Sequence, residues 1–128
     1  MAFVWMENDV VGTRLDRVDG TPASTLRYLE ELQLDSTFDL ILIERQMFPN
    51  SKCLCLQHQI HMFCLMRGLK VVIVNSKLKT PSGLSYAQRK KYTVAVAEAA
   101  NIPFPDGAKR DDVADAYCQL IAYLKISK

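Results

Sequence analysis

Phe-Asp-Leu-Ile-Leu-Ile, residues 38–43, is the stretch that decides the fold, because it is nearly all apolar and ends at Glu44. Such a run is typical of a strand buried on both faces of a parallel sheet. A helix is predicted from about residue 51 to residue 67, with Gly68 placed to end it, and residues 71–74 are predicted as the next buried strand. Strand, helix and strand in this order predict parallel strands and an α/β fold.

The remaining segments supply a hairpin and three more helices. Two β-prone runs, residues 3–6 and 10–18, are separated by Glu-Asn-Asp and predict the hairpin. Thr21 and Pro22 predict the start of a helix that ends near residue 34, with Leu26, Leu29 and Leu32 on its buried face. A flexible segment is predicted over residues 77–85, a helix over 86–100, a loop over 101–107, and then a last helix. The buried face of that helix is predicted to consist of Val113, Tyr117, Leu120 and Leu124.

Length and composition limit the class of protein. The chain has 128 residues, of which 49% are hydrophobic and 23% charged, so we expect a single globular domain over residues 1–128. No apolar run reaches the roughly 18 residues of a membrane span, and the first residues lack the basic start of a signal peptide. We therefore expect a soluble, intracellular protein without a membrane contact, whose four cysteines are reduced thiols.

Basic and acidic residues are segregated along the chain. Seven basic residues and no acid lie between residues 67 and 91, whereas the C-terminal part holds an acidic group. The basic residues are Arg67, Lys70, Lys77, Lys79, Arg89, Lys90 and Lys91, and the acids are Asp106, Asp111, Asp112 and Asp115. This pattern fits an enzyme that binds a phosphate backbone and holds a divalent cation against it, and it equally fits a solvated charged face.

Three carboxylates are candidates for a metal site. Glu44 stands where a buried strand ends, the place where an α/β sheet presents functional groups. Asp112 and Asp115 are three residues apart and are predicted to project from one face of a helix. Oxygen ligands without an accompanying His or Cys suit Mg²⁺ or Mn²⁺. The alternative is that the aspartates only complement a helix dipole, with Asp111 as the N-cap or a solvent residue.

Clustered like charges repel one another when no cation is bound. If these acids form a metal site, replacing either Asp112 or Asp115 by Asn is therefore expected to leave the metal-free protein as stable or slightly more stable.

Two further groups have a functional and a structural interpretation. Cys53, Cys55, His58, His61 and Cys64 suggest a zinc site, but thiols two apart on a helix point about 200° apart, which favours cysteines partly in the core. Tyr86 and Tyr92, beside three basic residues, are placed either to stack on exposed bases or, the favoured interpretation, to pack locally.

Three motifs in this order resemble the Holliday junction resolvases of the RuvC type, in particular their poxvirus and mitochondrial branches. The motifs are Ile-Glu-Arg-Gln at residues 43–46, Arg-Lys-Lys at 89–91 and Lys-Arg-Asp-Asp-Val-Ala-Asp-Ala at 109–116. The resemblance implies a ribonuclease H-like mixed sheet with flanking helices, a homodimer, and Mg²⁺- or Mn²⁺-dependent cleavage of branched DNA. It also implies either a protein of a large DNA virus that acts in the infected cell or a mitochondrial or nuclear one.

The resemblance also implies roles for individual residues. Glu44, Asp112 and Asp115 correspond to metal-binding acids, and Lys79, Lys90 and Lys91 lie near the essential lysine of the family, of which we take Lys91 as the candidate. The predicted DNA-binding residues are Arg45, Lys77, Lys79, Arg89, Lys90 and Lys91. The helix with His58 and His61 lies near the dimer contact in the resembling family.

The start of the chain departs from this family, which begins with a strand containing Asp-x-Gly. This chain has no such motif, and its start aligns with the second and third strands of the family. We expect that this strand was truncated or lost; the alternatives are that residues 3–6 replace it, with Glu7 or Asp9 as the substitute acid, or that a partner supplies it. The rival to a resolvase is therefore a catalytically impaired or non-catalytic relative used for DNA binding or assembly.

Overall fold

The computed structural model describes residues 1–35, 37–47, 49–105 and 110–126. Two compact units make up the chain: unit 1 consists of Met1–Arg17 with Lys77–Lys128, and unit 2 of Val18–Ser76. The elements in chain order are β1 (Ala2–Glu7), β2 (Val10–Leu15), α1 (Pro22–Glu31), β3 (Ile41–Glu44), α2 (Ser51–Met66), β4 (Val71–Val74), a 3₁₀ turn (Ser76–Lys79), α3 (Tyr86–Ala99) and α4 (Arg110–Ile126).

Unit 1 contains the predicted hairpin. β1 and β2 pair antiparallel, from Ala2 opposite Leu15 to Glu7 opposite Val10. The two turn residues, Asn8 and Asp9, have φ of 50° and 65°, the left-handed conformation that a two-residue hairpin turn requires and that Asn and Asp tolerate. The hairpin is thus confirmed, with β2 ending at residue 15 and not at residue 18.

One face of the hairpin packs on helix α4. Val113 and Ala114 of α4 and Ala97 of α3 are fully buried, and the side chains of Ala2, Val4, Val11 and Leu15 pack against this core. Because side chains alternate along a strand, Phe3 and Trp5 lie on the other face. Their ring centroids are 5.5 Å apart, and the Trp5 ring lies directly against Gly12, where it occupies the space of a β-carbon.

Unit 2 contains the predicted parallel strands. β3 and β4 pair parallel, from Ile41 opposite Val71 to Glu44 opposite Val74, with α2 between them in the chain. Helices α1 and α2 pack together and bury Tyr28, Leu29, Phe63 and Cys64. The strand, helix, strand prediction is therefore confirmed.

Two details of unit 2 differ from the sequence prediction. β3 begins at Ile41 and not at Phe38, because the Thr37 backbone N–H donates to the Asp35 carboxylate at 2.9 Å and the Phe38 N–H to the Asp35 carbonyl at 3.2 Å, which turns the chain. Leu42 is only half-buried, so β3 is not buried on both faces.

The buried face of α1 also differs. Thr25, Tyr28 and Leu29 are buried, whereas Leu26, predicted to be buried, is 47% exposed. The prediction from the leucines alone places the buried face wrongly, because the polar residue Thr25 lies in the core.

Among the described residues, no helix is long and apolar enough to cross a membrane. Asp106 and Gly107, the last two residues of the predicted loop, lie outside the described residues.

Candidate functional site

Two lysines and two aspartates of unit 1 form what we call the Lys90 cluster: Lys79, Lys90, Asp111 and Asp115. The Lys90 Nζ donates a hydrogen bond to Asp115 Oδ2 at 2.6 Å and lies 3.6 Å from Asp111 Oδ2. The Lys79 Nζ lies 3.9 Å from Asp115 Oδ2. The side chains of Lys79 and Asp115 are only 16% and 15% exposed, so water screens this cluster less than it screens a surface ion pair.

The packing of α3 on α4 places Lys90 beside Asp115. Thr93 and Ala97 of α3 and Val113 and Ala114 of α4 are all 0% exposed, and small residues such as these let two helices approach closely. The Cys118 Sγ donates to the Thr93 carbonyl at 3.6 Å, which joins the helices one turn further along. The packing of α3 on α4 thus determines which turn of α4 the Lys90 side chain contacts.

The charge of Lys90 follows from its surroundings. Partial burial lowers its pKa, but the hydrogen bond to Asp115 and the nearby negative charges of Asp115 and Asp111 raise it more, so the pKa lies above its ordinary value. Lys90 is therefore protonated at neutral pH. Two ammonium groups then balance two carboxylates in the Lys90 cluster.

Asp111 is the member of this cluster that sequence reasoning missed. It lies inside the first turn of α4, which begins at Arg110, and so it is not the N-cap. Four residues advance an α-helix by about 400°, so Asp111 lies only about 40° round the helix from Asp115. The spacing of four residues between Asp111 and Asp115 is the feature of the sequence that could have predicted this. Asp112, predicted to face the site with Asp115, is exposed.

Glu44 belongs to unit 2, as the last residue of β3. The residue is half-buried, and its backbone carbonyl accepts a hydrogen bond from the Gln46 Nε2 at 3.1 Å. The Gln46 backbone N–H donates to the Gln57 Oε1 at 2.6 Å, which ties the end of β3 to helix α2. Arg45, the neighbouring DNA-binding candidate, is exposed.

The other basic candidates belong to unit 1. Lys77, Arg89 and Lys91 are exposed. The Arg89 Nη1 donates to the Leu84 carbonyl at 2.9 Å, which directs its guanidinium toward the start of α3. Lys90 thus contacts the acids of α4, while Lys91, the candidate essential lysine, projects to solvent.

Carboxylate oxygens, such as those of the two aspartates in the Lys90 cluster, are the ligands that a hard divalent cation such as Mg²⁺ prefers. The side chains of Asp111 and Asp115 already converge on one cation, the ammonium of Lys90, which shows that this place favours positive charge. Within each unit, however, the described residues bring together no group of three or more His, Cys, Asp or Glu that could hold a metal. A Mg²⁺ ion on Asp115 would have to replace Lys90 there.

The cysteines and histidines of α2 do not form such a group either, as far as the described residues go. All four cysteines of the chain are free thiols, with Cys64 buried and Cys55 exposed. His58 is exposed and His61 is half-buried.

Comparison with known proteins identifies the class. Residues 3–128 match the family described as "Poxvirus A22 protein", and the chain belongs to this family. The search of curated proteins found no match.

A solved structure shows the same fold. The chain superposes on the Fowlpox virus resolvase, whose structure was solved with its substrate Holliday junction DNA, with a TM-score of 0.62 and 22% sequence identity. The match covers 98% of this chain and 89% of the Fowlpox chain. The α/β, ribonuclease H-like fold predicted from the sequence is thereby confirmed.

Proposed function

We propose that this protein is a Holliday junction resolvase, an endonuclease that binds four-way DNA junctions and cuts them in the presence of Mg²⁺ or Mn²⁺. The observation on which this proposal rests is the Lys90 cluster, where aspartates of α4 meet lysines, in a chain of the poxvirus A22 family with the fold of a junction-binding resolvase. A poxvirus family also supports action in the infected cell.

Three acids are the proposed metal ligands: Glu44, Asp112 and Asp115. When bound, Mg²⁺ would supply an activated water and a positive charge at the phosphate. Before it binds, Lys90 holds the Asp115 carboxylate in a fixed orientation through the 2.6 Å hydrogen bond. We assign to Lys91 the role of stabilising negative charge on the phosphate that is cut.

The basic side chains are the proposed contacts to the DNA backbone. They are Arg45, Lys77, Lys79, Arg89, Lys90 and Lys91. Such contacts release counterions, so affinity is expected to fall steeply as salt rises. A homodimer is part of the proposal, since a junction has two-fold symmetry and two active sites can make paired nicks.

The test uses a labelled four-way junction and a linear duplex of the same length. We expect tighter binding of the junction at moderate salt in a chelator, and paired nicks after addition of Mg²⁺. Asp115→Asn and Glu44→Gln are expected to abolish cleavage and retain binding, whereas Asp39→Asn, an exposed acid outside the proposed site, is the matched control that cleaves like the wild type. Equal affinity for junction and duplex would contradict the proposal.

A second candidate is a junction-binding protein that does not cleave. The observation that favours it is the neutralisation of Asp115 by two lysines, which a metal ion would have to displace. Under this alternative the wild type binds the junction with the same preference, but neither Mg²⁺ nor Mn²⁺ produces nicks. The same experiment thus separates the two candidates.

A further inference from the structure

Tyr86 is a large aromatic side chain in an unusually open position. It is the first residue of α3, and the residue is 68% exposed. The local packing favoured from the sequence is limited to the contact of the ring with the Lys90 ammonium, and most of the residue is open to solvent. An exposed aromatic ring at a proposed DNA-binding surface is suited to stack on the face of a base.

The backbone around Tyr86 is held on both sides. The Ser85 Oγ accepts from the Gln88 backbone N–H at 3.2 Å, and the Gln88 Oε1 accepts from the Ser85 backbone N–H at 2.8 Å. The Arg89 guanidinium adds its hydrogen bond to the Leu84 carbonyl. The ring thus projects from a rigid helix start, and little conformational entropy is lost when it makes a contact.

The Tyr86 ring lies close to Asp115, one of the proposed metal ligands. The Lys90 Nζ lies 5.5 Å from the centroid of the Tyr86 ring, and the same ammonium group donates to Asp115 at 2.6 Å. One lysine side chain therefore separates the exposed ring from Asp115. DNA with a phosphate at Asp115 would bring a neighbouring nucleotide to Tyr86.

The basic residues do not by themselves explain selection of a branched substrate. Contacts between cations and phosphates are independent of sequence and are available on linear duplex as well. Base stacking on an aromatic ring requires a base face that duplex stacking does not already cover, and such faces become accessible where strands exchange.

We propose that the Tyr86 ring stacks on a base at the branch point of the junction, next to the phosphate that is cut, and so supplies part of the preference for branched over linear DNA. This proposal rests on the proposed function. It assigns the role to the aromatic ring and not to the hydroxyl.

The test uses junctions and duplexes that contain 2-aminopurine at the branch position or its linear equivalent. Wild-type protein is expected to change the 2-aminopurine fluorescence of the junction, and Tyr86→Ala to lose this change. The preference for junction over duplex is expected to fall roughly 5- to 150-fold in Tyr86→Ala, the size of one base stack on an aromatic ring. Affinity for the linear duplex is expected to stay within about twofold, because the cations remain.

Two variants serve as controls. Tyr86→Phe keeps the ring and is expected to behave like the wild type in both measurements. Tyr92→Ala removes a tyrosine that is six residues further along α3, on another side of the helix, and is 39% exposed; it is expected to keep the fluorescence change and the preference. Thermal melts check that each variant is folded.

The outcomes separate this proposal from the proposed function. Junction preference and fluorescence change that persist in Tyr86→Ala overturn the stacking proposal and leave the resolvase proposal standing. Loss of both in Tyr86→Phe also overturns it, because the hydroxyl is then the contact. A wild-type protein without junction preference overturns the proposed function and the stacking proposal together.

Discussion

Replacing Asp115 by Asn is expected to destabilise the metal-free protein. The substitution removes the negative charge that holds the Lys90 ammonium at 2.6 Å and faces the Lys79 ammonium at 3.9 Å. A hydrogen bond to a charged group contributes about 1.5–3 kcal/mol, and the amide oxygen of Asn retains part of it. We therefore expect a loss of about 1–2 kcal/mol, or roughly 3–8 °C in the melting temperature for a chain of this size.

Asp112→Asn is the matched comparison, since Asp112 lies on the same helix and is exposed. The free energy of unfolding is expected to fall in Asp112→Asn only by the interaction with the helix dipole, about 0.3–1 kcal/mol. Lys90→Gln completes a double-mutant cycle with Asp115→Asn, in which the coupling between the two residues is expected to be roughly 1 kcal/mol.

The assay is thermal melting followed by circular dichroism at neutral pH, with a chelator and then with Mg²⁺. If Asp115 holds the metal, the Mg²⁺-dependent gain in stability shrinks in Asp115→Asn, in accordance with ligand linkage. A metal-free Asp115→Asn variant that melts at or above the wild-type temperature would contradict this prediction, and so would a cycle without coupling. The first of these results would instead match the mutual repulsion of acids that the sequence alone predicts.

Three further predictions concern thiols and a helix cap. Burial, and after it the charge of Asp115, raises the pKa of Cys118 from the ordinary 9.0 to about 11. The unfolded thiol therefore ionises first, and stability is expected to fall between about pH 9 and pH 11, by about 1.4 kcal/mol for each unit of difference in pKa; denaturant titrations across this range should show a flatter slope in Cys118→Ala. With a thiol reagent at pH 8 the exposed Cys55 is expected to react rapidly, and the buried Cys64 and Cys118 only after denaturant is added, so rapid modification of all three in native protein would contradict their burial. Ser85→Ala removes the capping box of α3 and is expected to lower the free energy of unfolding by about 1 kcal/mol, whereas an unchanged denaturation midpoint would show that the box contributes nothing.

The parts of the fold that sequence predicts well have local causes. The hairpin follows from Asn8 and Asp9, which tolerate positive φ, and the start of α1 follows from Thr21 with Pro22. The parallel strands follow from two apolar runs separated by a helix. Each of these signals lies within a few residues of the structure that it specifies.

The parts that sequence misses depend on tertiary packing. Lys90 and Asp115 are 25 residues apart, and it is the packing of α3 on α4, which also joins Thr93 to Cys118, that brings them together. Nothing in the charge pattern distinguishes Lys90 from Lys91. The late start of β3 has a different cause. Hydrogen bonds to Asp35 hold Thr37 and Phe38 in a turn, although the apolar run that begins at Phe38 is also compatible with a strand.

The position of Trp5 against Gly12 has a practical consequence for folding experiments. Trp5 is the only tryptophan of the chain, and its indole is fixed by the pairing of β1 with β2. Fluorescence excited where tyrosine does not absorb therefore reports on unit 1 alone, whereas circular dichroism also records α1 and α2 of unit 2. Coincident transitions by the two probes would mean that the units unfold cooperatively, and separate transitions would yield a stability for each unit without a single mutation.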